Sequence, residues 1–377
     1  MKHKFEYINS ELKEIRKRDL YRKMHDSKIT GAYITINSKT LINLCSNDYL
    51  GITQPKLPNK QNQSSSRLVS GNDNSFRVLE EKLAKHKSQE RSLIFPTGYM
   101  ANLGVIPSII GKNDLVLSDK LNHVSLIEAC KLTNSKLSIF NHNDMNNLAH
   151  KIKTKAKRKF IITEGIFSMD GDFSNLNLIT EIAEKNNAIV ILDDAHGDFV
   201  VGKDGKGTAN HFGVSKKIDV YISSLSKGLG SFGGYAASKK NTIEFCVNKS
   251  KSFIYTSALP GILIHDATKR FESKRERNRK KLWKNIKKFS SGLKKIGLDV
   301  SSDSQIFPII VGKEKTATAF GDYLFKNGIF AQPIRYPTVS RNHARIRISI
   351  TARLTDEHIE KSLSILENAK NKFKINN

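Results

Sequence analysis

Short apolar runs alternate with helical stretches from residue 45 to about 265, and no other feature restricts the fold of this chain as far. SLIF at 92–95, DLVLS at 114–118, KLSIF at 136–140, FIITEG at 160–165, AIVIL at 188–192 and DVYISS at 219–224 have strand length rather than helix length. The rhythm predicts an α/β fold: a mostly parallel sheet with helices on both faces. Ligands of such sheets bind beyond the carboxyl ends of the strands. The residues that follow each run are therefore where chemistry is expected.

AIVIL leads into LDDAHG, which carries Asp193 and His196, and DVYISS leads into SLSKGLGSFGGY, which carries Lys227. The small residues around Lys227 suit a closely approached loop better than a plain helix. An acid beside a lysine at one sheet edge suggests pyridoxal 5'-phosphate, whose chemistry needs a lysine for covalent attachment and a carboxylate holding the pyridine nitrogen protonated. A buried Lys227 amine is desolvated, which lowers its pKa and supplies a neutral base and nucleophile.

Other candidates flank the same edge. Ser224 and Ser226 precede the lysine, and Ser224 is the better placed of the two for a phosphate. In FPTGYMAN at 95–102, a turn opens a helix, which offers free amide donors from Thr97, Gly98 and Tyr99. His123 in DKLNHVSLIEA is either a loop histidine or an aromatic stacked over a cofactor ring. TEGIFSMDGD at 163–172 adds Glu164 and Ser168. Near the C-terminus ARIRISI alternates, pointing Arg345 and Arg347 to one face, and a guanidinium is the usual clamp for a substrate carboxylate.

The net charge of +27, from 63 Lys and Arg against 36 Asp and Glu, makes a basic nucleic-acid-binding protein the competing reading. Its best evidence is KIKTKAKRK at 151–159 and KRFESKRERNRKKLWKNIKK at 269–288. Within and after the latter, Leu282, Ile286, Phe289 and Leu293 recur at helical spacing, so its lysines read as the wet face of an amphipathic helix. Such a field also attracts an anionic substrate. No run approaches the roughly 18 apolar residues of a membrane span, and the N-terminus lacks the apolar stretch of a signal peptide. The expectation is a soluble cytoplasmic protein. Cys45, Cys130 and Cys246 are too few and too scattered for a disulfide framework or a zinc site, so no metal is expected.

Three regions follow from the pattern. Residues 1–44 form a helical arm and a short AYITI strand, 45–265 a large α/β domain, and 266–377 a smaller α+β domain. The last contains QIFPIIV, a helix near 315–327, IFAQPI, ARIRISI and a final helix from about 355 to 373.

SNDYLG at 46–51, TGYMAN, NHVSLIEA, TEGIFSMDGD, LDDAHG, SLSKGLGSFGGY and IRYPTV at 334–339 stand in the order and spacing of the α-oxoamine synthases, which the chain resembles from about residue 40 to its end. The resemblance implies a fold-type I pyridoxal-phosphate transferase, aminotransferase-like, that works as a homodimer with active sites at the subunit interface. By the same resemblance Lys227 matches the Schiff-base lysine and α-proton base, and Asp193 the pyridine-nitrogen partner. His196 and Ser168 match groups near the cofactor's phenolic oxygen, and His123 the ring-stacking catalytic histidine that also meets substrate. Gly98, Tyr99 and Ser224 match cofactor contacts. Thr256 and Ser257, in IYTSALP, approximate a segment that reaches the neighbouring subunit's phosphate.

Arg347 matches the amino-acid carboxylate clamp, and Asn47 and Thr338 fall at substrate positions. Arg22 lies near a family arginine for which Tyr21 is the competing counterpart. IRYPTV is most similar to the IRPPTV segment of the biotin-pathway member, which joins L-alanine to a pimeloyl thioester of coenzyme A or a carrier protein. Acetyl, succinyl and longer acyl donors, used by other members, are the alternatives. Two departures stand out: QSSSRLVSG lacks the usual glycines, and Phe76 replaces a usual histidine.

Overall fold

The six short runs and a seventh strand that the sequence did not mark, Gly234–Ser238, pair into one sheet in the computed structural model, which describes residues 4–58, 64–298, 300, 302 and 304–375. In chain order they are β1 (Arg91–Phe95), β2 (Leu115–Asp119), β3 (Lys136–Phe140), β4 (Lys159–Glu164), β5 (Ala188–Asp193), β6 (Val220–Ser224) and β7 (Gly234–Ser238). Their spatial order is β1-β7-β6-β5-β4-β2-β3. β7 runs antiparallel to both its neighbours, while β3, β2, β4, β5 and β6 pair in parallel. The carboxyl ends of β1, β2, β4, β5 and β6 consequently share one edge.

β2, β6 and β7 are buried at every position, which is why they read as continuous apolar or small-residue runs rather than alternating ones. Phe95, Val116, Ile162, Ile191 and Ile222 from the sheet close a core with Val105, Ile106 and Leu126 from the helices Gly98–Ile109 and Val124–Leu132. Thr97 starts the first helix with extended backbone, and its hydroxyl accepts from Met100 N at 3.1 Å.

The chain divides into two compact units, residues 52–168 with 172–279, and residues 1–51 with 169–171 and 280–377. The N-terminal arm therefore groups with the C-terminal region, in place of a partition at 44 and 265. This second unit opens with the helix Glu6–Lys17. An antiparallel meander follows, Ser27–Thr30, Tyr33–Ile36 and Lys39–Asn43, to which Ile329–Phe330 adds in parallel. A separate sheet is made of Ile306–Gly312, Ala344–Ser349 and Pro333–Ile334.

The basic stretch after residue 269 is helical from Glu276 to Lys295, with Leu282, Ile286, Phe289 and Leu293 buried as their spacing predicts. Phe289 meets Phe307 edge-on at 5.1 Å. On the wet face, Lys284 and Lys288 pair with Asp356 and Glu360 of the helix Asp356–Phe373. The second basic run is broken up: Ile152 is buried, and Arg158 forms a two-point ion pair with Asp114. The three cysteines are free thiols. Among the described residues no helix is long and apolar enough to cross a membrane.

Candidate active site

Asp193 ends β5 in register with Glu164 of β4, so two carboxyl groups arrive at one edge of the sheet. Asp193 Oδ1 accepts from Ala195 N at 3.0 Å and Oδ2 from Asn102 Nδ2 at 2.8 Å. Asn102 sits in the helix Gly98–Ile109 and was not singled out from the sequence. Its amide also donates to Ser125 Oγ at 2.9 Å, and Ser125 Oγ lies 2.7 Å from His123 Nδ1. Because Ser125 N–H also points at Nδ1, at 3.3 Å, that nitrogen is an acceptor and the ring is neutral. Burial, reinforced by the Lys227 charge and opposed by Asp193, holds His123 below the ordinary histidine range.

Glu164 is buried and accepts from His123 N at 2.5 Å. Burial, and then the charge of Asp193, push its carboxyl up to about 8, with Lys227 pulling the other way. It is the neutral acid of the pair, and Asp193 is the carboxylate held by amides.

Lys227 Nζ lies 2.9 Å from His196 Nε2. The lysine is half-buried, not buried as the loop's composition suggested, because the loop leaves β6 at the open edge of the sheet. Glycine is required on both sides of that edge. A Cβ on Gly98 would stand 3.2 Å from Ser224 Cβ, and one on Gly234 would stand 2.4 Å from Gly98 N. The start of the helix is thereby brought against Ser224, whose hydroxyl is 2.8 Å from that of Ser226. Thr97 spends its hydroxyl on the helix cap, while the first amides of the helix and Ser224 stand where an anion could be received. Tyr99 meets the His123 ring edge-on at 6.4 Å, and Ser168 is buried in the loop after Glu164.

This donor set fits pyridoxal phosphate. One amine, one amide-held carboxylate, one neutral imidazole and a glycine-lined helix start answer to its aldehyde, ring nitrogen, ring face and phosphate. Asn102 Oδ1, beside Asp193, is a buried polar atom without a hydrogen-bond partner. All of these residues belong to the unit that contains the large sheet.

Arg347, Asn47, Thr338 and Arg22 belong to the other unit. Arg347 Nη1 donates to Ser349 Oγ at 3.0 Å and Asn47 Oδ1 at 3.3 Å. Arg345 is committed instead to Asp170 at 2.6 Å and the Met169 carbonyl. Arg22 Nη2 reaches Thr338 Oγ1 at 3.4 Å. Both line a cavity of about 330 Å³ with Lys23 and Arg335, whereas Tyr21 packs its ring against Arg16. Ser257 is exposed and groups with Thr256, Arg67 and Phe76. Phe76 is itself buried beneath the Arg67 guanidinium. Of the QSSSRLVSG departure, Gln63 lies outside the described residues.

Residues 39–366 match the family model for aminotransferase class I and II. The 8-amino-7-oxononanoate synthase of Thermoanaerobacter pseudethanolicus is 38% identical over 382 residues, 97% of each chain. The 8-amino-7-oxononanoate synthase 1 of Bacillus subtilis is 34% identical over 383 residues, 97% of this chain and 98% of its own. A solved structure of SPT with PLP matches with a TM-score of 0.92 at 25% identity, covering 99% of this chain and 98% of that one.

Proposed function

This chain belongs to the aminotransferase class I and II family, and on that premise we propose that it is a pyridoxal-phosphate-dependent acyltransferase of biotin biosynthesis. The reaction condenses L-alanine with a pimeloyl thioester and releases 8-amino-7-oxononanoate, carbon dioxide and free thiol. The observation that carries the reading is the Lys227 amine 2.9 Å from His196 on the sheet edge that also presents the Asn102-held Asp193. The choice of acyl group rests on the relatives and on IRYPTV. The proposal extends to a cytoplasmic homodimer.

Pyridoxal phosphate, when bound, supplies a carbonyl for amines to attack and a ring that accepts the electrons left on a carbon that loses a proton or a carboxylate. Lys227 Nζ would be the covalent anchor, and its amine, when free, would be the base for the proton on alanine Cα. Asp193, oriented by Asn102 Nδ2 and Ala195 N, keeps a proton on the ring nitrogen. Neutral His123 offers a flat ring face and adds no positive charge to compete with the one Asp193 holds. Glu164, protonated near neutral pH, adds no second negative charge beside Asp193. Ser224 and the amides of Gly98 and Tyr99 hold the phosphate, and His196 and Ser168 attend the phenolic oxygen. Arg347 binds the alanine carboxylate in two-point geometry. The cations around the Arg22 and Thr338 cavity suit an anionic acyl chain or its carrier.

Thiol release, assayed with pimeloyl, acetyl, succinyl and long-chain acyl thioesters against alanine, glycine and serine, tests the proposal. Pimeloyl with alanine is expected to give the highest kcat/KM. A preference for another pair would reassign the substrate while keeping the chemistry.

A further inference from the structure

One buried charged cluster in the sheet unit has no part in the chemistry above. Lys87 caps the helix Asn74–His86, and its side chain is 1% exposed. Its Nζ lies 2.9 Å from Asp194 Oδ2, 2.7 Å from Asp198 Oδ1 and 3.0 Å from the Lys206 carbonyl, so each of its three protons has an acceptor. Asp194 also accepts from Thr208 Oγ1 at 2.7 Å. Asp198 accepts from His86 Nε2 at 2.9 Å, from Ser223 Oγ at 2.8 Å and from the Tyr235 hydroxyl. Burial alone would drive Lys87 to the neutral form, but the two carboxylates overcome it and keep the amine charged.

The two carboxylates bracket the site. Asp194 follows Asp193, and His196 lies midway between Asp194 and Asp198. Bonds from Gly197 N and Asp198 N to the Asp194 carbonyl, 3.0 and 2.8 Å, close the segment into one tight turn. Ser223, the β6 anchor of Asp198, is next to Ser224 and four residues before Lys227. Without the ammonium group, two buried carboxylates repel each other or share a proton, and the turn that holds them together loses its clasp.

We propose that Lys87 is a positioning residue for the reaction: by bridging Asp194 and Asp198 it fixes the turn that sets Asp193 and His196 against Lys227. It acts only through that turn. The inference rests on pyridoxal phosphate being carried at Lys227.

The test is a pH titration of the visible absorption of the holoenzyme. Lys87→Met combined with Asp198→Asn removes one positive and one negative charge, deleting the bridge while keeping the formal charge of the cluster. Thr208→Val keeps every charge and removes one anchor of Asp194. The double variant should fold, shift the transition of the visible band by about one pH unit and lower kcat by roughly tenfold or more. Thr208→Val should shift it in the same direction and by less. A folded double variant with the wild-type transition overturns the role of Lys87; where the double variant does not fold, Asp198→Asn alone, which deletes one arm of the bridge, decides instead, and an unshifted transition in it overturns the role. Wild-type protein without a visible band defeats the cofactor reading, a result distinct from either.

Discussion

Asn102 Nδ2 stands 2.8 Å from Asp193 Oδ2, and this contact gives a buried carboxylate a fixed direction. A carboxylate paired with lysine or arginine would have little charge to offer a pyridinium. One held by neutral amides keeps that charge available. The helix Gly98–Ile109 thereby brings its first amides and, one turn on, Asn102 to the same edge of the sheet.

Asn102→Ala removes the donor and its link to Ser125, so Asp193 is left less well oriented. Hydrogen bonds to charged groups contribute about 1.5–3 kcal/mol, and kcat/KM for alanine should fall by roughly 10- to 100-fold. The cofactor should remain covalently attached, since Lys227 is untouched. Steady-state kinetics with an absorbance spectrum check both halves, and unchanged kcat/KM would show that Asp193 does not depend on the amide.

Lys227→Ala removes both the covalent anchor and the base for alanine Cα. Borohydride treatment of this variant with pyridoxal phosphate should leave no label at the site, and turnover should drop by at least about 10³-fold. Peptide mapping decides it. A reducible label on another lysine in the variant and in the wild type would move the site.

What the sequence disclosed follows from how each residue is buried. Strands covered on both faces write continuous apolar runs, so AIVIL marked the sheet edge and with it Asp193 and His196. Asn102 left a weaker mark, a single amide among Ala101, Leu103, Val105 and Ile106, which composition alone cannot separate from an incidental polar residue. Lys87 left none, because KHKSQE looks solvated and its partner Asp194 is 107 residues away.

Alternation in ARIRISI could not tell its two arginines apart: the strand Ala344–Ser349 is central in its sheet and buried throughout, and the two meet different partners. Likewise AYITI announced one strand where three pair, since Ser27–Thr30 is exposed at every position and has no apolar pattern of its own.

Glu164 gives the protein a pH signature. Its carboxyl rises from an ordinary 4.5 to about 8 through burial and then the charge of Asp193. Between those values the folded chain keeps a proton that the unfolded chain has released. The stabilising contribution is complete below the lower value and is lost as pH rises through the upper one. In cofactor-free protein, wild type should lose stability relative to Glu164→Gln across that window, by up to about 1.4 kcal/mol per pH unit. Thermal melts from pH 4.5 to 8.5 measure it, and parallel curves for the two proteins would sink the assignment.

Arg345 and Arg347 sit two residues apart on one strand, both buried, and their substitutions should separate cleanly. Arg345 is tied to Asp170 at 2.6 Å, so Arg345→Gln leaves that partly exposed carboxylate without its guanidinium and lowers the thermal midpoint. Its KM for alanine should stay within about twofold of wild type. Arg347 is aimed by the Ser349 hydroxyl and Asn47, which suits a planar group that must meet another carboxylate edge-on. Arg347→Lys retains the charge but loses the two-point geometry, so KM for alanine should rise by about tenfold or more while KM for the thioester holds. The reverse pattern, with alanine KM following Arg345, would transfer the clamp to the neighbouring arginine.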